Sequence, residues 1–201
     1  MPLNHYQITT LENAIKNYSY PPIYSFGVGT PIEVINVENT TTLEGIISKL
    51  LRSDCVKDVK NGLASVIYWG NNTAGYASHR TITFNENVTE PQIQSFMALV
   101  REGIPQLVEI KKIGMPQFSG ISFISKILAF LDPDKHCVLD LKLSRSLSVV
   151  NGRSLNGVRF TTTIGVTKNN SSIYYAWTKE CIYINTSYYN GRYRAVDIVG
   201  D

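Results

Sequence analysis

The stretch that decides the fold is QFSGISFISKILAFLDPDKHCVLDLKL, residues 117–143. Its apolar middle, Ser122 to Leu131, predicts a helix, which ends before Pro133 because proline cannot continue a helix. A tight turn is predicted in front of this helix, at Phe118 to Ile121, and Asp140 opens a further helix behind it. The stretch therefore predicts a helical hairpin with a carboxylate at the start of the next helix.

Outward from this hairpin, hydrophobic spacing predicts a series of short helices. The hairpin unit covers about residues 104–147. Further helices are predicted from Thr10 to about Tyr18, from a capping box Thr41-x-x-Glu44, from Asp54 to Trp69, after a cap at Thr89, after a cap at Ser171 or Ser172, and from Arg192 to Val199. Thr81 to Phe84 alternates as a short strand does, and residues 151–170 predict loops or a hairpin. The predicted fold class is mainly α: a single compact all-helical domain over residues 1–201, with at most one short hairpin.

Composition excludes several classes of protein. Hydrophobic residues make up 43% of the 201 residues, which suffices for a core and excludes a disordered chain. Three widely spaced cysteines, Cys55, Cys137 and Cys181, predict reduced, buried thiols rather than a disulfide framework. The three histidines are scattered and no Cys-x-x-Cys pair occurs, so neither a metal nor another cofactor is expected. With no basic, apolar leader and no membrane-length apolar run, we expect a cytoplasmic monomer without a membrane partner.

Charge is distributed unevenly along the chain. Residues 1–110 carry a net charge of −3, residues 111–159 carry +5, and residues 160–201 carry +1. A basic segment inside a nearly neutral protein predicts one face for an anionic partner. A solvated basic surface without a partner fits the same charges.

Residues 117–143 resemble the helix-hairpin-helix DNA glycosylases, and more narrowly the compact prokaryotic proteins with an 8-oxoguanine DNA glycosylase fold. Two further segments carry the resemblance, Tyr68-Trp69-Gly70-Asn71 at the end of an early helix and Tyr193-Arg194-Ala195-Val196-Asp197-Ile198 near the end of the chain. The resemblance implies double-stranded DNA as partner and a hairpin whose backbone N–H groups hold a DNA phosphate around Gly120. The second glycine that is usual in this hairpin is replaced by Phe118.

The resemblance also implies roles for single residues. Asp140 takes the position of the catalytic carboxylate, which stabilises the sugar cation and orients or deprotonates the attacking group. As a bare pattern, Asp140 is equally a helix cap. Lys142 matches a position that contacts phosphate beside the target nucleotide, and Arg145 follows it in the basic segment.

This chain has a serine where some members of the family it resembles have a lysine that attacks the sugar. Members of the family that also cleave the strand carry this lysine where Ser122 stands, so the resemblance implies that water is the nucleophile. Lys126 lies one helical turn further along the same face and is predicted to be a cation of the pocket. It becomes an alternative amine nucleophile only if burial lowers its pKa.

Base removal requires the base to leave the stack and to rest on aromatic or apolar surfaces. Tyr68, Trp69, Trp177 and Tyr193 are the candidates for this base pocket, although most aromatic residues of the chain belong to the core. The predicted activity is therefore DNA glycosylase, acting on 8-oxoguanine or on a bulky modified base, in DNA repair or in defence against phage. A non-catalytic DNA-binding module and a helical scaffold protein remain the alternatives.

Overall fold

The computed structural model describes residues 2–18, 20–27 and 32–199, which fold mainly into helices. Nine α-helices lie within these ranges: α1 His5–Asn17, α2 Thr40–Leu51, α3 Val56–Asn71, α4 Ala77–Asn87, α5 Glu90–Glu102, α6 Leu107–Ile113, α7 Ile121–Leu131, α8 Leu141–Leu147 and α9 Lys168–Tyr189. Single 3₁₀ turns cover Asn72–Ala74 and Val196–Val199, and strands β1 (Ile23–Phe26) and β2 (Glu33–Asn36) pair antiparallel. The mainly α fold class is confirmed, and the strand pair lies in residues 23–36 rather than in 151–170.

Polar side chains at the N-caps determine where several helices begin. Thr89 caps α5 as predicted, in a capping box with Gln92. The predicted starts of α2 and α9 are wrong, because Asn39 accepts the backbone N–H of Thr42 at 2.9 Å and Thr167 caps α9 in place of Ser171 or Ser172. Helix α1 begins at His5 rather than at Thr10, because Asn4 and Gln7 form a capping box that the sequence reading overlooked.

The predicted strand at Thr81 to Phe84 is wrong, since these residues lie inside α4. Four alternating residues fit a helix as well as a strand, and tertiary packing decides between the two. Here Phe84 packs edge-on against Phe118, with 5.8 Å between ring centroids, and the Thr81 hydroxyl donates to the Ala77 carbonyl at 2.8 Å. The helix predicted for Arg192 to Val199 is also shorter than expected, because only Val196–Val199 forms a 3₁₀ turn.

Helix α3 lies at the centre of the packing and contacts α2, α4, α5, α7 and β1. The buried apolar side chains form one continuous cluster that extends from Leu43 to Ile198. All three cysteines are free thiols, and Cys137 and Cys181 are buried as predicted. Cys55 is exposed, contrary to the prediction, because it lies at the N-cap of α3 outside this cluster. None of the helices in the described ranges combines the length and the apolar character that a bilayer span requires.

Helices α6 and α7 are joined by residues 114–120, the segment predicted to form the hairpin. The left-handed residues that turn the chain are Gly114 (φ 73°) and Gln117 (φ 68°), whereas Gly120 is extended and caps α7. A Cβ at Gly120 would lie 3.3 Å from the carbonyl oxygen of Ile164, so the close approach is to this chain's own backbone. The backbone N–H of Ile121 donates to that same carbonyl at 2.8 Å. The helix-hairpin-helix motif therefore stays a prediction.

Candidate functional site

A cavity of about 940 Å³ lies between α1 and the helices that carry several of the predicted site residues. Leu11 and Ile15 of α1 form one wall, and α7, α8 and α9 contribute Lys126, Leu143 and Trp177 to the others. Helix α1 buries none of its side chains fully, because its apolar face is turned toward this cavity. Pockets for small molecules enclose about 300–1,000 Å³, so this cavity lies near the upper end of that range.

Asp140 lies at the N-terminus of α8 and lines the cavity. Its Oδ1 accepts the backbone N–H of Leu143 at 2.8 Å, which makes it the N-cap of α8. Asp140 caps α8 and also lines the cavity, so the cap and the predicted catalytic role are compatible in one residue.

Lys126 is the buried cation of the cavity, and only 8% of its surface is exposed. Its Nζ donates to the Ser122 carbonyl at 3.1 Å and lies 5.0 Å from the centroid of the Phe123 ring. Burial lowers the pKa of Lys126 to about 8, although the negative charge of Asp140 opposes the shift. Asp140 therefore acts electrostatically on Lys126, and both residues line one cavity.

Two of the four aromatic residues predicted for a base pocket line the cavity, Trp69 and Trp177. The ring of Trp69 is held by Tyr20 and Phe130, at centroid distances of 4.7 and 5.1 Å, and the Tyr20 hydroxyl donates to the Trp69 carbonyl. Trp177 is 5% exposed and comes from α9. These rings give the cavity a rigid aromatic part.

The other two aromatic candidates lie elsewhere. Tyr68 is buried in α3 and does not line the cavity. Tyr193 packs on the ring of Tyr189, and its hydroxyl donates to Glu12 at 3.4 Å. Tyr193 therefore contributes to the attachment of α1 rather than to the cavity wall.

An ion-pair network that the sequence analysis missed forms a polar wall of the cavity. Arg194 donates to Asp197 at 2.7 and 3.0 Å and also pairs with Glu44, and all three residues line the cavity. These hydrogen bonds, first to Asp197 and then to Glu44, raise the pKa of the Arg194 guanidinium. Glu44 lies 150 residues from Arg194 in the sequence, so only the fold brings them together. The sequence offered one signal for this network, the spacing of three residues between Arg194 and Asp197, which allows an ion pair between them.

The predicted DNA-binding residues are spread over two regions. Lys142 is exposed on α8 and lines the cavity, and Arg145 is exposed one turn further along. Gly120 and Ser122 lie at the start of α7 and do not line the cavity, and the backbone carbonyl of Ser122 is occupied by Lys126.

The charge of the basic segment is only partly available at the surface. Arg153 pairs with Glu180 at 2.9 Å, with each side chain 13% exposed, and Lys126 is buried.

In the part of the chain that the structure describes, no three His, Cys, Asp or Glu side chains are grouped to hold a metal ion. No family model, curated protein or solved structure matches this chain.

Proposed function

We propose that this protein is a DNA glycosylase that hydrolyses the N-glycosidic bond of a damaged or modified base in duplex DNA. The observation that carries the proposal is one cavity of about 940 Å³ that is lined by Asp140, the buried Lys126, Trp69 and Trp177. A protein that only binds the DNA backbone needs no carboxylate beside that negative charge.

Each group has a task in this reaction. Water adds to C1′ of the deoxyribose, the bond from C1′ to the base nitrogen breaks, and the base leaves with the electron pair and takes up a proton. The carboxylate of Asp140 stabilises the positive charge that develops on the sugar and orients the water. Lys126 is the cation of the pocket, and Lys142, on the exposed side of α8, contacts a phosphate beside the flipped nucleotide.

The cavity volume favours a bulky base over a small lesion. A single nucleobase is smaller than the drug-sized ligands that pockets of about 300–1,000 Å³ accommodate. A base with a large substituent would use the polar wall of Glu44, Arg194 and Asp197 in addition to the aromatic rings. Such a substrate agrees with a role in defence against phage, whereas 8-oxoguanine would indicate repair.

The test is a panel of duplexes, each with one modified base, assayed for abasic sites by alkaline cleavage. Asp140→Asn removes the charge but keeps the cap, because asparagine caps helices as well as aspartate does. We expect base release to fall by at least about a hundredfold, with duplex binding retained. Asp54→Asn, which removes an exposed carboxylate paired with Arg101, is the matched control and should keep full activity.

Borohydride trapping tests the nucleophile separately. With water as nucleophile, no covalent adduct between protein and DNA accumulates. An adduct that disappears in Lys126→Ala would identify the amine as nucleophile. Turnover by Asp140→Asn at the rate of the unchanged protein would exclude the catalytic role of Asp140.

A further inference from the structure

A fully buried serine is next to the lysine of the proposed site in the chain and is hydrogen-bonded to the residue that precedes the carboxylate. Ser125 precedes Lys126 in α7 and has no exposed surface, at 0%. Its Oγ accepts the backbone N–H of Leu139 at 3.1 Å. Leu139 immediately precedes Asp140, so this hydroxyl connects the helix that carries the lysine to the segment that carries the carboxylate.

The same hydroxyl also shares an acceptor with the lysine. Ser125 Oγ donates to the carbonyl of Ser122 at 3.3 Å, and Lys126 Nζ donates to that carbonyl at 3.1 Å. This carbonyl also accepts the helical backbone N–H of Lys126, so the hydroxyl and the ammonium share an acceptor that has two lone pairs. The ammonium and the Leu139–Asp140 segment are therefore both positioned relative to one atom.

A few hydrogen bonds hold the C-terminal end of the segment between α7 and α8, where it leads into Asp140. The carbonyl of Cys137 accepts the Tyr174 hydroxyl at 3.1 Å, the N–H of Leu139 donates to Ser125, and Asp140 caps α8. Leu139 itself is buried, so its N–H would have no acceptor if the Ser125 hydroxyl were removed. A buried donor without a partner costs more than the hydrogen bond is worth, and the segment would move to satisfy it.

We propose that Ser125 is a positioning residue, whose hydroxyl sets the placement of the Lys126 ammonium relative to the Asp140 carboxylate. The catalytic consequence rests on the proposed function, whereas the placement is a property of the protein without DNA. A serine suits this position because its hydroxyl donates and accepts at once and is small enough for the interior of α7. Alanine keeps the helix but removes both hydrogen bonds.

The first measurement does not depend on activity. The pKa of Lys126 is followed by NMR of the lysine side chain, with and without Asp140→Asn. When Ser125 is intact, Asp140→Asn should lower the pKa of Lys126, because the negative charge of the carboxylate stabilises the ammonium. We expect Ser125→Ala to reduce that effect to less than half. If Asp140→Asn lowers the pKa equally in both backgrounds, Ser125 does not place the two groups.

The matched control is Ser65→Ala. Ser65 is equally buried, in α3, and its hydroxyl shares its one hydrogen between the carbonyl oxygens of Ser25 and Asn61, at 2.8 and 2.7 Å. This substitution also removes a buried hydroxyl that ties a helix to another element, but it lies outside the cavity wall. It should leave the coupling between Lys126 and Asp140 unchanged.

The second measurement is base release from a duplex substrate. Ser125→Ala should lower kcat by about tenfold to a hundredfold with KM within twofold, because a misplacement of about 1 Å has that effect. Ser125→Thr, which retains a hydroxyl, should restore most of kcat. If Ser125→Ala does not fold, Ser125→Cys gives the same comparison, because it fills the space of the hydroxyl with a slightly larger group that is a weaker donor and acceptor. A protein inactive on every duplex contradicts the proposed function, and the NMR coupling then decides this inference alone.

Discussion

Gly70 lies directly against the side chain of Lys126, so a single added methyl group tests how closely that lysine is held. A Cβ at this position would lie 2.9 Å from Cδ and Cε of Lys126 and 2.9 Å from Cε1 of Phe123. Ordinary contact begins at 3.4 Å, so these atoms must retreat by at least about 0.5 Å. We therefore expect Gly70→Ala to push the Lys126 side chain into the cavity.

Two opposing contributions set the effect on stability. Replacing glycine by alanine inside a helix gains up to about 1 kcal/mol, while overpacking costs about 1–3 kcal/mol. The net result is a loss of about 0–3 kcal/mol, which leaves a protein of ordinary stability folded. Moving the Nζ away from the Ser122 carbonyl and into water reverses the desolvation, so the pKa of Lys126 should rise from about 8 toward 10.5.

Base release and lysine titration are the assays for Gly70→Ala. We expect base release to fall by about tenfold to a hundredfold, since the displacement approaches 1 Å. Gly45→Ala is the control, because Gly45 also lies inside a helix and a Cβ there meets nothing within 4 Å. Unchanged base release together with a Lys126 pKa still near 8 would refute the assigned contact between Gly70 and the lysine.

Two further predictions concern the cations. Lys126→Met should stabilise the protein by up to about 3 kcal/mol at pH 7, because the folded state holds an ammonium with a pKa of about 8 against 10.5 when unfolded. Between these two pKa values the folded state binds fewer protons than the unfolded state, so the stability advantage of the variant should shrink as the pH rises from 8 to 10.5. The difference in denaturant midpoint between the variant and the unchanged protein should therefore be smaller at pH 10 than at pH 7, and an equal difference at both pH values would contradict this prediction. Lys142→Ala should make the salt dependence of duplex binding shallower by about 0.9 in log–log slope, and an unchanged slope means that Lys142 makes no phosphate contact.

The sequence predicted the parts of the fold where local signals agree with one another. The apolar run Ser122 to Leu131 and its stop before Pro133 correspond closely to α7, and Thr89 caps α5 as expected. Local signals failed where two interpretations share the same residues. Thr41-x-x-Glu44 has the letters of a capping box, but Asn39 provides the cap, and Glu44 pairs with Arg194 instead. No local pattern distinguishes these uses of a glutamate.

The residues of the candidate site that could be predicted are those that lie near one another in the sequence. Lys126 and Asp140 lie 14 residues apart, within the same hairpin unit, and both line the cavity. Glu44 and Tyr20 are brought to the cavity from distant segments, and their roles depend on packing that spacing does not encode. Tyr68 was misplaced for a related reason, because neighbouring residues of a helix point about 100° apart, and only Trp69 faces the cavity.

The charge state of Lys126 connects this geometry to the choice of nucleophile. With a pKa of about 8, roughly nine-tenths of the lysine is protonated at pH 7. An ammonium is not a nucleophile, but it can neutralise an anion that enters the cavity. Burial lowers the pKa of Lys126 only part of the way to a neutral amine, because Asp140 acts against it. Asp140 thus helps to keep Lys126 charged at neutral pH, which agrees with the proposed role of this lysine as the cation of the pocket and of water as the nucleophile.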